Sequence, residues 1–313
     1  MGEAVKATEE AFRELYWGTA IMPDRQSLNL THTGGWLGVM PAFLRRAEAL
    51  STKVVTVFGR NPEEHGLPTT MATIILNDPL TGKPTCIMDG SYLTAVRTGA
   101  AGGVAAKLLS RSNSRRLGVF GSGTQARTQV EGVLTVRTLE SVKIFSRMFD
   151  HAAKLAKELE EKHGVRATAV RSPQEAVEGC DIVVTATTSP SPVFDGNLLS
   201  EGTHVNCIGA HTPNTRELDS AAITRAKVVV DQREAALKEA GDILIPISEG
   251  LITSTHIYAE LGEIVAGAMP GRSAEDWITV FKSCGLAVQD AVIAKMAFSK
   301  AVESGIGYDF PMP

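Results

Sequence analysis

The chain has 313 residues, 43% of them hydrophobic and 21% charged, with a net charge of −4. That length and ordinary composition fit a globular protein of two cored domains and exclude a disordered or fibrous chain. A slightly acidic chain offers no broad field for nucleic acid or an anionic membrane, so neither is expected as a partner.

Ala4, Ala7, Ala11, Phe12 and Leu15 fall at helical spacing, which predicts an amphipathic helix over residues 3–16 that starts almost at Met1. This opening carries acids early and has no apolar core, so it does not read as a signal peptide. No uninterrupted apolar run is long enough to span a bilayer. Short β-like runs follow, "GGWLGVMPAFL" and then "STKVVTVF". "GLPTTMATIILNDPLTGKPTCIMDG" reads as a hairpin turning at Asp78-Pro79 and Thr81-Gly82. "SYLTAVRTGAAGGVAAKLLS" predicts one long helix whose glycines and alanines suit close packing against another element.

From about residue 115 the rhythm changes to strands alternating with helices. "RLGVFGS", "SVKIFSR", "VRATAV", "CDIVVTATTS", "THVNCIGA" and "AKVVVD" are strand-like, with helical segments between several of them. That order predicts a parallel, doubly wound sheet of the Rossmann type. A last helix is expected over 284–303, returning to the first domain. Cys86, Cys180, Cys207 and Cys284 lie far apart without a CxxC pair, and three sit in apolar or small-residue runs. Free, buried thiols in a reducing cytoplasm are the expectation.

The turn "LGVFGSGTQAR" matches Gly121-x-Gly123-x-x-Ala126 with a strand before it and a helix after it. The first glycine permits the tight turn, the second lets the backbone approach a pyrophosphate, and Ala126 allows close helix–strand packing. Gly121, Ser122, Gly123, Thr124, Gln125 and Ala126 are therefore candidate dinucleotide neighbours, with the phosphates at the helix amino terminus. An NAD-selecting site places Asp or Glu at the end of the second strand, where this chain has Ser146 and Arg147. A hydroxyl and a guanidinium suit a 2′-phosphate, so NADPH is expected over NADH. Thr187, after the strand "IVVTAT", stands at a carboxyl end, where such sheets bind ligand.

Two cations interrupt apolar runs: Arg97 in the small-residue helix and Lys53 just ahead of "VVTVF". A charge in such a place is rarely buried without a partner. The seven histidines are scattered, and no pair has the spacing of a helix-borne metal site.

Taken together, "STKVVTVFGRNPEEHGLPTTMATIILNDPLTGKPTCIMDGSYLTAVRTGAA", "GSGTQAR", "GTHVNCIGAHTPNTRELD", "AKVVVDQREAALKEAGDI" and "ITVFKSCGLAVQD" resemble the ornithine cyclodeaminase/mu-crystallin family. The resemblance implies an α/β protein with a Rossmann domain, here 113–295, inserted in an α+β substrate and dimerisation domain built from both chain ends, 1–112 and 296–313. It implies a homodimer acting on a small amino or imino acid. Family members usually open with a strand, whereas this chain opens inside the first helix, so a shorter amino terminus is expected.

By the same resemblance Arg25, Lys53 and Arg97 stand at carboxylate-binding positions, and Thr98 and Ser283 at cofactor-contacting ones. Lys53 near the reacting carbon would supply charge or a proton. His211 stands where the cyclodeaminases and archaeal-type alanine dehydrogenases carry Asp, and a histidine there suits proton relay. Lys282 replaces an Asp of NAD-using members, a second sign of NADPH. The expected activity is reduction of a small cyclic ketimine carboxylate, with Lys53, Arg97 and His211 catalytic. Ornithine cyclodeamination, alanine dehydrogenation and a non-catalytic nucleotide-binding role are the alternatives.

Overall fold

Strands between residues 35 and 77 alternate more and less buried side chains, the mark of a sheet with one face covered. The computed structural model describes residues 1–309. Its first elements are α1 (Gly2–Tyr16), β1 (Ala20–Ile21), β2 (Gln26–Leu30), β3 (Gly35–Leu44), β4 (Ala49–Phe58), α2 (Asn61–Glu64), β5 (Thr70–Asn77), β6 (Pro84–Asp89) and α3 (Ser91–Leu109). The strands form an antiparallel sheet in the order β1-β3-β4-β5-β6, with β2 also on β3. The helix over Ala287–Glu303 packs across β3, β4 and β5, so the chain's end does return to this sheet. Glu14 on α1 accepts hydrogen bonds from the Arg46 and Ala47 amides at 2.9 and 3.0 Å, which fixes the turn between β3 and β4.

The next elements alternate as the sequence predicts: β7 (Arg116–Phe120), α4 (Thr124–Val136), β8 (Ser141–Phe145), α5 (Phe149–His163), β9 (Arg166–Ala169), α6 (Pro173–Val177), β10 (Ile182–Thr185) and β11 (His204–Cys207). They continue with α7 (Ser220–Arg225), β12 (Ala226–Val230), α8 (Arg233–Glu239), α9 (Gly241–Ser248), β13 (Ile257–Glu260), α10 (Leu261–Val265), β14 (Ile278–Lys282) and the Ala287–Glu303 helix, α11. All pairings are parallel, in the order β13-β12-β14-β11-β10-β7-β8-β9. Burial on both faces explains the unbroken apolar runs Ile182–Val184 of β10 and Val228–Val230 of β12. Leu117, Ile144 and Val184 belong to one core; Phe120, Val205 and Val280 belong to the other.

Two compact units result, one of Met1–Val5 with Thr98–Gly285 and one of Lys6–Arg97 with the segment from Leu286. The boundaries thus fall at 97/98 and 285/286, not at 112/113 and 295/296. The cause is packing by small residues. A Cβ on Gly99 would collide with the Thr128 backbone of α4, and one on Gly103 would lie 2.9 Å from the Gly132 carbonyl oxygen, so α3 from Thr98 onward belongs with the parallel sheet. No helix among the described residues is long and apolar enough to cross a membrane.

Candidate active site

The parallel sheet reverses its winding at β7: β8 and β9 lie on one side of it and β10 on the other. Ligands bind such sheets outside the strand carboxyl ends at this switch point. A cavity of about 410 Å³ opens there, lined by Gly121, Ser122, Gly123, Ser146, Arg147 and Thr187 among others. Gly121 has φ +106°, and a Cβ on it would lie 2.5 Å from the Ala186 carbonyl oxygen, so only glycine makes this turn. Gly123 caps the thirteen-residue α4, whose first amides are unpaired within the helix and suit a phosphate. The Ser122 hydroxyl donates to that of Ser146 at 3.1 Å, tying the glycine turn to the end of β8. Phe120, Phe145 and Val193 add an apolar wall. These residues fit a dinucleotide.

Other sequence candidates in this unit lie elsewhere. Thr124 and Gln125 begin α4, and Ala126 is fully buried against the sheet. Thr98 is buried, with its carbonyl accepting from Gln129 at 2.7 Å. Ser283 is buried and donates to Asp231 at 3.1 Å. His211 is exposed, with Nδ1 3.2 Å from the Gly209 carbonyl oxygen.

Lys282 corrects a sequence expectation. It is fully buried, with Nζ 2.8 Å from Asp242 and a hydrogen bond to the Ala210 carbonyl. Burial disfavours its ammonium, but the Asp242 carboxylate together with the neighbouring Cys207 and Cys284 outweighs that and pushes its pKa up. Lys282 is an interior ion pair, and the NADPH expectation rests on Ser146 and Arg147 alone. Asp242 also accepts from the Glu217 and Leu218 amides at 2.7 and 2.8 Å. The buried Glu217 carboxylate in turn takes hydrogen bonds from the Thr187 amide and hydroxyl, the Thr185 hydroxyl and the Gly209 amide.

In the antiparallel unit, the alternation of β4 puts Lys53 on the covered face with Ala49, Ser51 and Val55. Asp290, on the first turn of α11, joins it to Arg97: Lys53 Nζ is 2.6 Å from Oδ2 and Arg97 Nε is 3.1 Å from Oδ1. Arg97 also donates to Gln289 at 2.7 Å. Lys53 is 1% exposed, Asp290 0% and Arg97 7%. Burial pulls the Lys53 ammonium down to about 8; Asp290 resists this, while Arg97 and Arg25 add to it. Arg25 is half-buried, its guanidinium 5.9 Å from the centre of the Trp36 ring. The three expected cations thus share one electrostatic neighbourhood, and Asp290 and Gln289 are the members that sequence reading missed. The signal existed: Asp290 interrupts "GLAVQDAVIAK" as Arg97 interrupts its own helix.

The sequence profile of the ornithine cyclodeaminase/mu-crystallin family matches residues 1–305. The chain is 41% identical over 308 residues to a Delta(1)-pyrroline-2-carboxylate reductase of Bacillus cereus, covering 98% of this chain and 94% of that one. Among solved structures it matches the Thermococcus litoralis Delta(1)-pyrroline-2-carboxylate reductase in complex with NADH and L-proline. That match has a TM-score of 0.96 and 44% identity, covering 98% of this chain and 95% of the other. An archaeal alanine dehydrogenase dimer with bound NAD matches at a TM-score of 0.93 and 40% identity, covering 99% and 94%.

Proposed function

This chain belongs to the ornithine cyclodeaminase/mu-crystallin family, and from that premise we propose that it is an NAD(P)H-dependent reductase of small cyclic ketimine carboxylates, of the Δ1-pyrroline-2-carboxylate and Δ1-piperideine-2-carboxylate type. The observation that carries this reading is the buried Lys53–Asp290–Arg97 cluster, in a chain that such reductases match nearly end to end. With Arg25 beside it, the cluster holds three cations to one carboxylate, an excess that suits an anionic substrate.

A nucleotide held at Gly121, Ser122, Gly123, Ser146 and Arg147 would supply the hydride for the imine carbon. Arg25 and Arg97 hold the substrate carboxylate. Lys53 holds a proton beside it and passes it to the imine nitrogen, so that C=N becomes a secondary amine. A protonated C=N is the better electrophile. His211, exposed on the parallel-sheet unit, is a further proposed catalytic residue, supported by the family resemblance. Reduction run with NADPH deuterated at both C4 positions should place the label on the α-carbon of the cyclic amino acid; an unlabelled product would refute the mechanism.

The pH dependence follows from Lys53, whose ammonium form persists below about 8. kcat/KM for reduction should be sustained at neutral pH and fall as pH rises through that value, with loss of the iminium adding to the decline. A rate that climbs steadily into alkaline pH would count against Lys53 as donor.

We take the preferred nucleotide to be NADPH, supported by Ser146 and Arg147 at the cavity. Gly121, Ser122, Gly123, Thr124, Gln125, Ala126, Thr98, Thr187 and Ser283 are the other proposed contacts or supports. Arg147→Asp should lower the preference for NADPH over NADH more than about tenfold, about 1.4 kcal/mol. An untouched preference would remove Arg147 from nucleotide selection. Free Cys86, Cys180, Cys207 and Cys284 support a cytoplasmic protein. The dimeric archaeal relative, and the exposed Ile21, Leu28 and Ile87 here, support a homodimer.

The second reading, alanine-type reductive amination of a 2-oxo acid, is favoured by the archaeal relative. It consumes ammonia, whereas cyclic-imine reduction does not.

A further inference from the structure

Lys53 is a charge on the covered face of a sheet, and its surroundings decide whether it can keep its proton. Its register neighbours on β3 and β5 are Met40 and Ile74, neither of which titrates. From α3 it meets the field of Arg97, and Arg25, just ahead of β2, adds another positive charge. From α11 comes Asp290, the one anion among these groups, 2.6 Å from Nζ. The same carboxylate uses its other oxygen on Arg97 Nε, while Gln289 takes a second Arg97 nitrogen. Two of the five N–H donors of Arg97 are thus committed to α11, and the others remain to meet an anion.

We propose that Asp290 is the positioning residue of the reaction: one carboxylate, shared through its two oxygens, keeps Lys53 as an ammonium and sets the direction of the Arg97 fork. This rests on the reading of Lys53 as proton donor to the imine. Burial and two neighbouring cations all favour the neutral amine, and only Asp290 opposes them. Without it the donor would reach neutral pH already deprotonated. The free Arg97 fork would also lose its anchor on α11. Asp290 is fully buried with one oxygen on Lys53 and the other on Arg97, so its effect must travel through them.

Asp290→Asn keeps the shape and removes the charge. The expected result is an alkaline limb of kcat/KM moved down by about one pH unit or more. Activity should fall about fivefold or more at pH 8 and recover most of that loss near pH 6. In parallel, 13C NMR of lysine-labelled, substrate-free protein should show the Lys53 titration moving down with the substitution, and Asp290→Glu should move it back. Equal loss at every pH with Lys53 titrating as in the wild type would overturn the proposal, leaving Asp290 a packing residue. If Asp290→Asn does not fold, the wild-type titration still decides: Lys53 losing its proton below pH 7 would overturn it. A wild type that reduces no cyclic imine would refute the proposed function and the positioning role with it, whereas an active wild type whose Lys53 titration Asp290→Asn leaves unmoved would overturn this inference alone.

Discussion

Lys53→Ala should lower kcat for cyclic-imine reduction by a factor of about 10² or more, the range a positioned acid contributes, while nucleotide affinity stays nearly unchanged. The split follows from the architecture. Lys53 belongs to the antiparallel unit, whereas the cavity at Gly121, Ser146 and Arg147 is built within the parallel-sheet unit. Removing the ammonium also leaves the buried Asp290 with Arg97 as its single ion-pair partner, so some loss of stability is expected. Lys53→Met, which keeps the aliphatic volume, should show the same kinetic loss with less structural damage. Nucleotide binding by fluorescence titration and turnover by absorbance separate the effects. Turnover within a factor of about three of wild type would remove Lys53 from the mechanism.

Lys282→Met should destabilise the protein by about 3–5 kcal/mol, because it strands a buried carboxylate. For a unit of this size that corresponds to a fall in Tm on the order of 10 °C. Asp242 would keep its hydrogen bonds from the Glu217 and Leu218 amides but lose its cation. The damage should spread to the cavity rim, since Glu217 is what ties Thr187 to Gly209. Adding Asp242→Asn should restore much of the stability, because the uncompensated charge goes with it. The preference between NADPH and NADH should not change. A changed preference with an unchanged Tm would mean that Lys282 acts on the nucleotide after all.

Much of the fold was legible in the sequence because its causes are local. The glycine turn is specified by three neighbouring small residues, and φ +106° at Gly121 is the conformation that such a turn needs. The alternation of β4 and the hydrophobic runs of β10 and β12 likewise announce their sheets. β2 was hard to see because all five of its residues are exposed, so it carries no buried period.

The site was legible in halves. Lys53 and Arg97 stood out as charges in apolar runs, yet their shared partner lies 193 residues beyond Arg97. An acid in the first turn of a helix is also commonplace, which hid Asp290. Lys282 misled for the opposite reason. It reads, through the resemblance, as the replacement of an Asp of NAD-using members, and only the tertiary fold brings Asp242 to it. The domain boundary at Thr98 was invisible for the same reason, since it depends on which helix the α3 glycines meet.

The most direct test of the central claim is nucleotide oxidation followed by absorbance, with purified protein and Δ1-pyrroline-2-carboxylate. NADPH and NADH would run in parallel, beside pyruvate plus ammonia and L-ornithine. Rapid oxidation of NADPH with the cyclic imine, and no need for ammonia, is the predicted result. Silence with the imine would contradict it, whether accompanied by turnover of pyruvate with ammonia or by ammonia release from L-ornithine without net nucleotide change.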